Sequence, residues 1–247
     1  MAETVLEARG ITAGYVPDLP ILRSVSLKVA AGQVTLIVGP NGAGKSTLIK
    51  AIAGLLPVSE GRITLDSREI TGIRPDQLTA RGIAYVPQTD NIFRGLTIRQ
   101  NLDLALRGAG AEGTSRLEAL LAQFPALAEK QRDRAGTLSG GQRQFLAVAM
   151  ALATAPRLIM MDEPSAGLSP KAAEEVLIHA RGLADEGRAV LLVEQNVKQA
   201  LRLADHCYVL AEGRNQLDAP ARDLLGDTVL GEIYLGKRRL APESGAA

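Results

Sequence analysis

The sequence predicts an α/β fold in which a parallel-sheet core carries an antiparallel β subdomain and an inserted helical subdomain. A Gly-rich stretch, residues 39–47, lies between a β-like run and a helix-like run, as in a strand–loop–helix unit. Short segments near the N-terminus alternate apolar and polar residues, which is typical of half-buried strands. After residue 88 the pattern becomes helical and interrupts the α/β order until about residue 155.

The predicted strands fall into two groups. Those of the antiparallel layer show alternation and lie at residues 5–9, 21–30 and 62–66. Those of the core are continuous apolar runs, typical of strands buried on both faces, and lie at residues 33–38, 82–86, 158–161 and 189–193. A hairpin is predicted at residues 208–217, because two β-like runs flank Glu212-Gly213.

The predicted helices complete the chain. Three lie in the insert, where apolar residues recur on one face: residues 97–106, 115–124 and 139–155, the last ending before Pro156. Three more follow in the core, at residues 169–186, 197–204 and 221–235. We therefore expect a single domain with core segments 1–88 and 156–236, a helical subdomain at 89–155 and a flexible tail at 237–247.

The Gly-rich stretch matches the phosphate-binding pattern G-x-x-x-x-G-K-[ST]. Its glycines allow backbone N–H groups to approach phosphates closely, and the following helix N-terminus adds partial positive charge. Lys45 can reach the β- and γ-phosphates, and the Ser46 hydroxyl can bind Mg²⁺. The predicted ATP-binding residues here are Gly39, Pro40, Asn41, Gly42, Ala43, Gly44, Lys45, Ser46 and Thr47.

The composition gives no support to nucleic-acid binding, although a local basic patch stays possible. The 28 basic and 27 acidic residues nearly cancel, so the basic surplus usual in nucleic-acid-binding proteins is missing. The single cysteine, Cys207, lies in an apolar run and is predicted to be a small core residue. Neither a signal peptide nor an unbroken apolar span is visible, so we expect a cytoplasmic protein.

Two carboxylates follow the apolar strand at residues 158–161. Asp162 lies where an acid near a phosphate loop holds Mg²⁺, and Glu163 can act as the general base for the attacking water. Gln88 follows another core strand, at the start of the helical insert, where a neutral side chain can contact Mg²⁺ or water. The predicted metal-binding residues are thus Ser46, Gln88 and Asp162.

The stretch Leu138-Ser139-Gly140-Gly141-Gln142 completes a specific set of motifs. With the phosphate loop, Gln88 and residues 158–163 in this order, nearly the whole chain resembles an ATP-binding cassette (ABC) ATPase subunit. Ser139 and Gly141 lie at a helix N-terminus, which favours anions. The resemblance implies that Ser139, Gly141 and Gln142 bind ATP held by an opposite cassette, and that Tyr15 stacks on adenine.

Two positions depart from the family pattern. Gln195 stands after the strand at residues 189–193, where the family usually has a histidine, and Ser169 stands where an aspartate is usual. A glutamine can hydrogen-bond a γ-phosphate, but it cannot become cationic as histidine can. We therefore assign Gln195 a catalytic role together with Lys45 and Glu163, and we expect this site to be the slower of two unequal sites.

The segment Val193-Glu194-Gln195-Asn196 narrows the resemblance. Together with residues 134–137 and 234–236, it is similar to the second ATP-binding subunit of branched-chain amino acid importers and their urea or amide relatives. Residues 86–90 fit that subgroup less well. The resemblance implies a second ATPase subunit, two membrane permease subunits near residues 88–96, an indirect periplasmic binding protein, and attachment to the inner face of the plasma membrane.

Three alternatives remain open from the sequence. A lipid or lipopolysaccharide transport ATPase fits the motifs, although residues 193–196 argue against it. A soluble ABC ATPase of DNA repair, translation or cofactor assembly is a different class: repair ATPases need long coiled-coil insertions, and translation factors carry two cassettes in one chain. This chain has neither feature, and its charges are balanced. A non-hydrolysing structural partner is disfavoured because Lys45, Asp162 and Glu163 are all present.

Overall fold

A computed structural model describes residues 3–16, 18–225 and 231 of the chain. Its strands are β1 (Thr4–Ala13), β2 (Leu22–Ala30), β3 (Val34–Val38), β4 (Val58–Leu65), β5 (Arg68–Glu69), β6 (Ile83–Val86), β7 (Leu158–Asp162), β8 (Ala189–Val193), β9 (His206–Ala211) and β10 (Arg214–Pro220). Its α-helices are α1 (Lys45–Ile52), α2 (Pro75–Ala80), α3 (Ile98–Ala105), α4 (Gly113–Gln123), α5 (Pro125–Ala128), α6 (Gly140–Leu152), α7 (Pro170–Asp185) and α8 (Val197–Leu201).

The core is a six-stranded sheet in the order β10-β9-β3-β8-β7-β6. All neighbours pair in parallel except β10, which forms an antiparallel hairpin with β9. Every residue of β3, β7 and β8 is buried, which explains their continuous apolar sequences. The predicted parallel core and the predicted hairpin are confirmed.

A second sheet, in the order β2-β1-β4-β5, is antiparallel throughout. Along β2 the side chains of Val25, Leu27 and Val29 are buried and those between them are exposed, so the alternation identified the inner face correctly. These side chains share one hydrophobic cluster with residues of α1 and of the core strands, including Ile49 and Leu191. The antiparallel β layer therefore packs against one face of the core sheet.

The helices between β6 and β7 pack on the other face of the core sheet. α3 begins with a capping box, in which Thr97 Oγ1 accepts a hydrogen bond from the Gln100 N–H and Gln100 bonds back to Thr97. α4 and α6 bury Leu117, Leu120 and Leu146 in a single cluster with strand residues. The three predicted helices are present; the division of the chain at residues 89 and 155 stays a prediction.

One helix prediction is wrong at its start. Residues Ala221–Leu224 form a 3₁₀ helix that ends at Leu225, whose backbone is extended, instead of opening an α-helix. The remainder of that predicted helix and the tail at 237–247 lie outside the described residues, apart from Gly231. None of the helices in the described part of the chain has the length and apolar character needed to cross a bilayer.

The single cysteine is a structural residue of the core. Cys207 is fully buried in β9 and free, as its apolar surroundings predicted. Burial raises the pKa of its thiol to about 12, so the reactive thiolate is suppressed.

The β9–β10 turn contacts the phosphate loop. Gly213 N–H donates to the Ala43 carbonyl at 3.1 Å, and the Arg23 N–H donates to the Gly213 carbonyl at 2.8 Å. The backbone of Gly213 has φ 73°, and a Cβ there would lie 1.8 Å from the Ile21 carbonyl oxygen. Glycine is therefore required at this position by both conformation and space.

We predict that Gly213→Ala destabilises the protein more than Gly72→Ala does. Gly72 is the matched control, because its φ is also positive (70°) but a Cβ there meets nothing within 4 Å. Left-handed strain alone should cost Gly72→Ala about 1 kcal/mol of unfolding free energy. The backbone clash should cost Gly213→Ala at least about 2 kcal/mol more. Urea denaturation measures both, and equal losses would contradict this account of the turn.

Candidate active site

Three parallel strands end at one edge of the core sheet. β8 lies between β3 and β7, with Ile37 aligned to Val193 and Val193 aligned to Asp162. The loops that follow these strands therefore meet there, as expected for the carboxyl ends of a parallel sheet. They are the phosphate loop after β3, the carboxylate segment after β7 and the loop after β8 that contains Gln195.

The phosphate loop is shaped by three glycines with positive φ: Gly39 (151°), Gly42 (80°) and Gly44 (97°). A Cβ on Gly39 would lie 2.0 Å from the Leu210 carbonyl oxygen, whereas a Cβ on Gly42 would point into open space. The loop borders a cavity of about 300 Å³. The cavity is lined by Ile21, Asn41, Gly42, Ala43, Gly44, Lys45, Ser46, Thr47 and Glu163.

Lys45 lies folded into the phosphate loop. Its ammonium donates to the carbonyl oxygens of Gly39 at 2.9 Å and Pro40 at 3.2 Å. Burial lowers the pKa of Lys45, and the nearby charges of Glu163 and Asp162 oppose that shift. An ammonium held by two loop carbonyls at the edge of the cavity is suited to a polyanionic ligand.

Ser46 and Asp162 form an oxygen-rich pair suited to a magnesium ion. Ser46 Oγ donates to Asp162 Oδ1 at 3.0 Å, and the Tyr85 hydroxyl lies 3.5 Å from Asp162 Oδ2. Burial is the main cause that raises the pKa of Asp162; the bond from Ser46 opposes it. Hydroxyl and carboxylate oxygens are the ligands Mg²⁺ prefers, and it commonly uses one or two carboxylates plus phosphate oxygens.

The described ranges contain no group of three or more His, Cys, Asp or Glu side chains that could hold a metal by themselves. Ser46 and Asp162 alone would leave most positions around Mg²⁺ to water and phosphate oxygens, as is usual for this ion.

Glu163 is the point at which two glutamines converge. Glu163 Oε2 accepts a hydrogen bond from Gln88 Nε2 at 2.9 Å and another from Gln195 Nε2 at 2.6 Å. Its backbone has φ 49°, a left-handed conformation that costs about 1–2 kcal/mol for a non-glycine residue. The bond from the Glu163 N–H to the Val193 carbonyl, 2.9 Å long, holds this conformation.

Residues 138–142, called the signature below, lie at the start of α6. Ser139 caps α6: its Oγ accepts from the Gln142 N–H at 3.3 Å, and its N–H donates to Gln142 Oε1 at 3.1 Å. Ser139 is exposed and Gly141 is buried. Gly140 lines a different cavity, together with Gln88 and Gly167. In one chain, therefore, the signature lies apart from the lining of the phosphate-loop cavity.

Tyr15 has an exposed ring, and Ser169 caps a helix. Tyr15 is 56% exposed and lines a cavity with Pro20 and Pro57, while the ammonium of Lys50 lies 5.9 Å from its ring centroid. The ring is exposed and has a cation over one face, and it is not part of the lining of the phosphate-loop cavity. Ser169 caps α7 by accepting from the Ala172 N–H at 3.4 Å, a cap that aspartate would also provide.

Two further side chains at this edge, Tyr85 and Glu194, were not predicted from the sequence. Glu194 is buried beside Gln195, and Tyr85 lies near Asp162. A signal for Glu194 was present, because it follows five apolar strand residues directly, as Asp162 follows four. Tyr85 gives no such signal, since a tyrosine is common in half-buried strands.

Comparisons with known proteins agree with this geometry. A family profile described as ABC transporter matches residues 22–166, more than half of the chain. The probable branched-chain amino acid transport ATP-binding protein LivF of Archaeoglobus fulgidus is 42% identical, over 92% of this chain and 96% of its own length. The high-affinity branched-chain amino acid transport ATP-binding protein BraG of Pseudomonas aeruginosa is 36% identical, over 90% and 96%. Lipopolysaccharide export ATP-binding proteins match at 32–34% identity.

Solved structures give the same result. The ADP conformation of an ATP-binding cassette of an ABC transporter superposes with a TM-score of 0.83 at 31% identity, over 94% of this chain and 99% of that chain. A dimeric cassette in a post-hydrolysis state, bound to ADP and Pi, superposes with a TM-score of 0.76 at 28% identity, over 88% and 99%. The predicted fold class, a P-loop ABC ATPase core, is therefore confirmed, and the chain belongs to the ABC transporter family as an ATP-binding ATPase subunit.

Proposed function

We propose that this chain binds and hydrolyses ATP to energise an ABC importer for branched-chain amino acids. One observation carries the hydrolytic part: a carboxylate, Glu163, borders the phosphate-loop cavity while Gln88 and Gln195 both donate to its Oε2. An acceptor oxygen flanked by two amide groups beside a phosphate site is suited to orient a water molecule.

The phosphate loop would hold the triphosphate. Backbone N–H groups of the loop and the α1 N-terminus would attract the phosphates, and Lys45 would exchange its carbonyl partners for phosphate oxygens. Ser46, Asp162 and Gln88 would hold Mg²⁺. That ion, when bound, neutralises charge that develops on the phosphate oxygens. Tyr15, with its exposed ring, would stack on the adenine.

Glu163 would act as the general base and Gln195 as a neutral hydrogen-bond donor to the γ-phosphate. Gln195 now donates to the Glu163 carboxylate and would turn an N–H towards the γ-phosphate, whereas Gln88 can keep its bond to Glu163 while its amide oxygen faces Mg²⁺. Because Gln195 cannot carry a charge, its stabilisation of the transition state should be weaker than that of an imidazolium.

The working unit would be a dimer. Ser139, Gly141 and Gln142 are separated from the phosphate-loop cavity of their own chain, which supports their use on ATP held by a second cassette. The exposed N-terminus of the 13-residue helix α6 is a suitable γ-phosphate contact. A relative of 28% identity is dimeric after hydrolysis, which supports the same arrangement.

The membrane partners are proposed from membership of the ABC transporter family. We propose a second ABC ATPase subunit, two permease subunits and, indirectly, a periplasmic binding protein, with the chain in the cytoplasm on the inner face of the plasma membrane. The permease contact would lie near residues 88–96, where Phe93 is 56% exposed. No nucleic-acid partner is proposed, because basic and acidic residues balance.

We predict that Glu163→Gln lowers the rate of phosphate release at least about a hundredfold, because the general base is lost. ATP binding should persist, so the variant should accumulate as an ATP-bound dimer with doubled mass on size-exclusion chromatography. Glu118→Gln, at an exposed position on α4, is the matched control and should behave as wild type. Lys45→Ala should differ by losing nucleotide binding itself. Normal turnover by Glu163→Gln would refute the base assignment.

We predict that Gln195→His raises kcat roughly tenfold, since a neutral amide donor to the γ-phosphate is replaced by a cationic imidazolium donor. The gain should grow as the pH falls towards about 6.5, where an ordinary imidazole gains its proton. Gln195→Asn keeps an amide and serves as the control, with no such pH dependence. The wild-type chain should also hydrolyse ATP faster beside a histidine-bearing partner subunit than alone. Equal rates in both states would argue against unequal sites.

We predict that the chain co-purifies with two permease subunits and supports ATP-dependent leucine uptake. Proteoliposomes with the permeases, both ATPases and the binding protein would test this with labelled leucine, isoleucine and valine. The same vesicles without this chain are the control. Uptake of urea or an amide instead would move the assignment to that relative group, and transport of lipopolysaccharide would replace the importer proposal.

A further inference from the structure

Glu194 is a buried carboxylate for which the hydrolysis described above gives no role. It follows the last residue of β8 and is 1% exposed. Its backbone N–H donates to the Ile37 carbonyl at 3.2 Å, which extends the alignment of β8 with β3. The residue therefore lies inside the protein, immediately behind the loop that contains Gln195.

Both oxygens of Glu194 are occupied. Oε1 accepts from the Ser165 N–H at 3.0 Å, and Oε2 accepts from Ser165 Oγ at 2.8 Å and from the Gln195 N–H at 3.2 Å. A carboxylate removed from water is costly unless its lone pairs are satisfied, and three donors meet that requirement here. Burial raises the pKa of Glu194, and the three hydrogen bonds oppose that shift.

These bonds close a ring between two loops. From Glu163 the chain runs to Ser165, which is bonded to Glu194; Gln195 follows and returns to Glu163 through its 2.6 Å side-chain bond. The Glu163 N–H bond to Val193 adds a second tie across the same loops. With Glu194 in place, the separation of the Gln195 amide from the Glu163 carboxylate is therefore fixed by two independent connections.

We propose that Glu194 is a positioning residue that fixes the Gln195 amide relative to Glu163 and couples it to the segment at residues 165–169. The proposal rests on the proposed ATP hydrolysis at this site. Because one carboxylate holds both loops, displacement of residues 165–169 moves the Gln195 backbone. Hydrolysis and the position of that segment are thereby linked in one hydrogen-bonded unit.

Glu194→Gln tests this idea almost isosterically. The amide oxygen can still accept from the Ser165 N–H, and the new NH₂ group can donate to Ser165 Oγ. It cannot accept from the Gln195 N–H, so this variant releases Gln195 while keeping Ser165. We expect kcat for ATP to fall about tenfold, as for loss of one hydrogen bond to a charged group, with KM unchanged.

A double-mutant cycle separates positioning from general damage. In a Gln195→Ala background, Glu194→Gln should lower kcat no further, because its effect passes through Gln195. Ser165→Ala removes one bond to Glu194; it should lower kcat about threefold, and that loss should also vanish in the Gln195→Ala background. Asn196→Ala, whose side chain bonds Gln199 outside the ring, is the matched control and should keep wild-type kcat.

Several outcomes would overturn the proposal. Multiplicative losses in the double variants, a loss confined to KM, or unchanged kcat in Glu194→Gln would each contradict it. If Glu194→Gln fails to fold, the Ser165→Ala and Gln195→Ala cycle decides the question alone. If the proposed function itself is wrong, the wild-type chain would show no ATP turnover that Glu163→Gln abolishes. That result differs from every outcome above, so the two failures can be told apart.

Discussion

The parallel pairing of β3 with β8 and of β8 with β7 is the constraint on which the site depends. These strands are fully buried, so their order and register are set by the core on both faces. The side chains that follow them are delivered to one edge of the sheet. Lys45 and Ser46, Asp162 and Glu163, and Gln195 thereby become neighbours although they are far apart in the chain.

Three carboxylates are buried close together at this edge of the sheet. Asp162, Glu163 and Glu194 are all at least nine-tenths buried, and Lys45 lies folded into the loop beside the first two. Hydroxyl and amide donors satisfy these carboxylates: Ser46 on Asp162, two glutamines on Glu163, and Ser165 on Glu194. This arrangement is suited to the proposed cation and phosphate, since each donor can change partner without the sheet moving.

Much of the fold could be predicted from local patterns in the sequence. Alternation identified the inner face of β2, apolar runs identified β6, β7 and β8, and capping residues located the starts of α6 and α7. The failure at Ala221 has a physical cause: the 3₁₀ turn of residues 221–224 is anchored by the bond from the Ala221 N–H to the Asp205 carbonyl. A distant backbone contact of that kind overrides helix propensity, and no local window contains it.

The sequence by itself determined the family, the phosphate loop and the acids after β7, because each depends on neighbouring residues with fixed spacing. Only the tertiary structure decided that Gln88 and Gln195 share one oxygen of Glu163, across separations of 75 and 32 residues. It also decided that Glu194 joins the loops after β7 and β8. The reason is that strand order is a non-local property: periodicity identifies a strand, but packing of the whole core selects its neighbours.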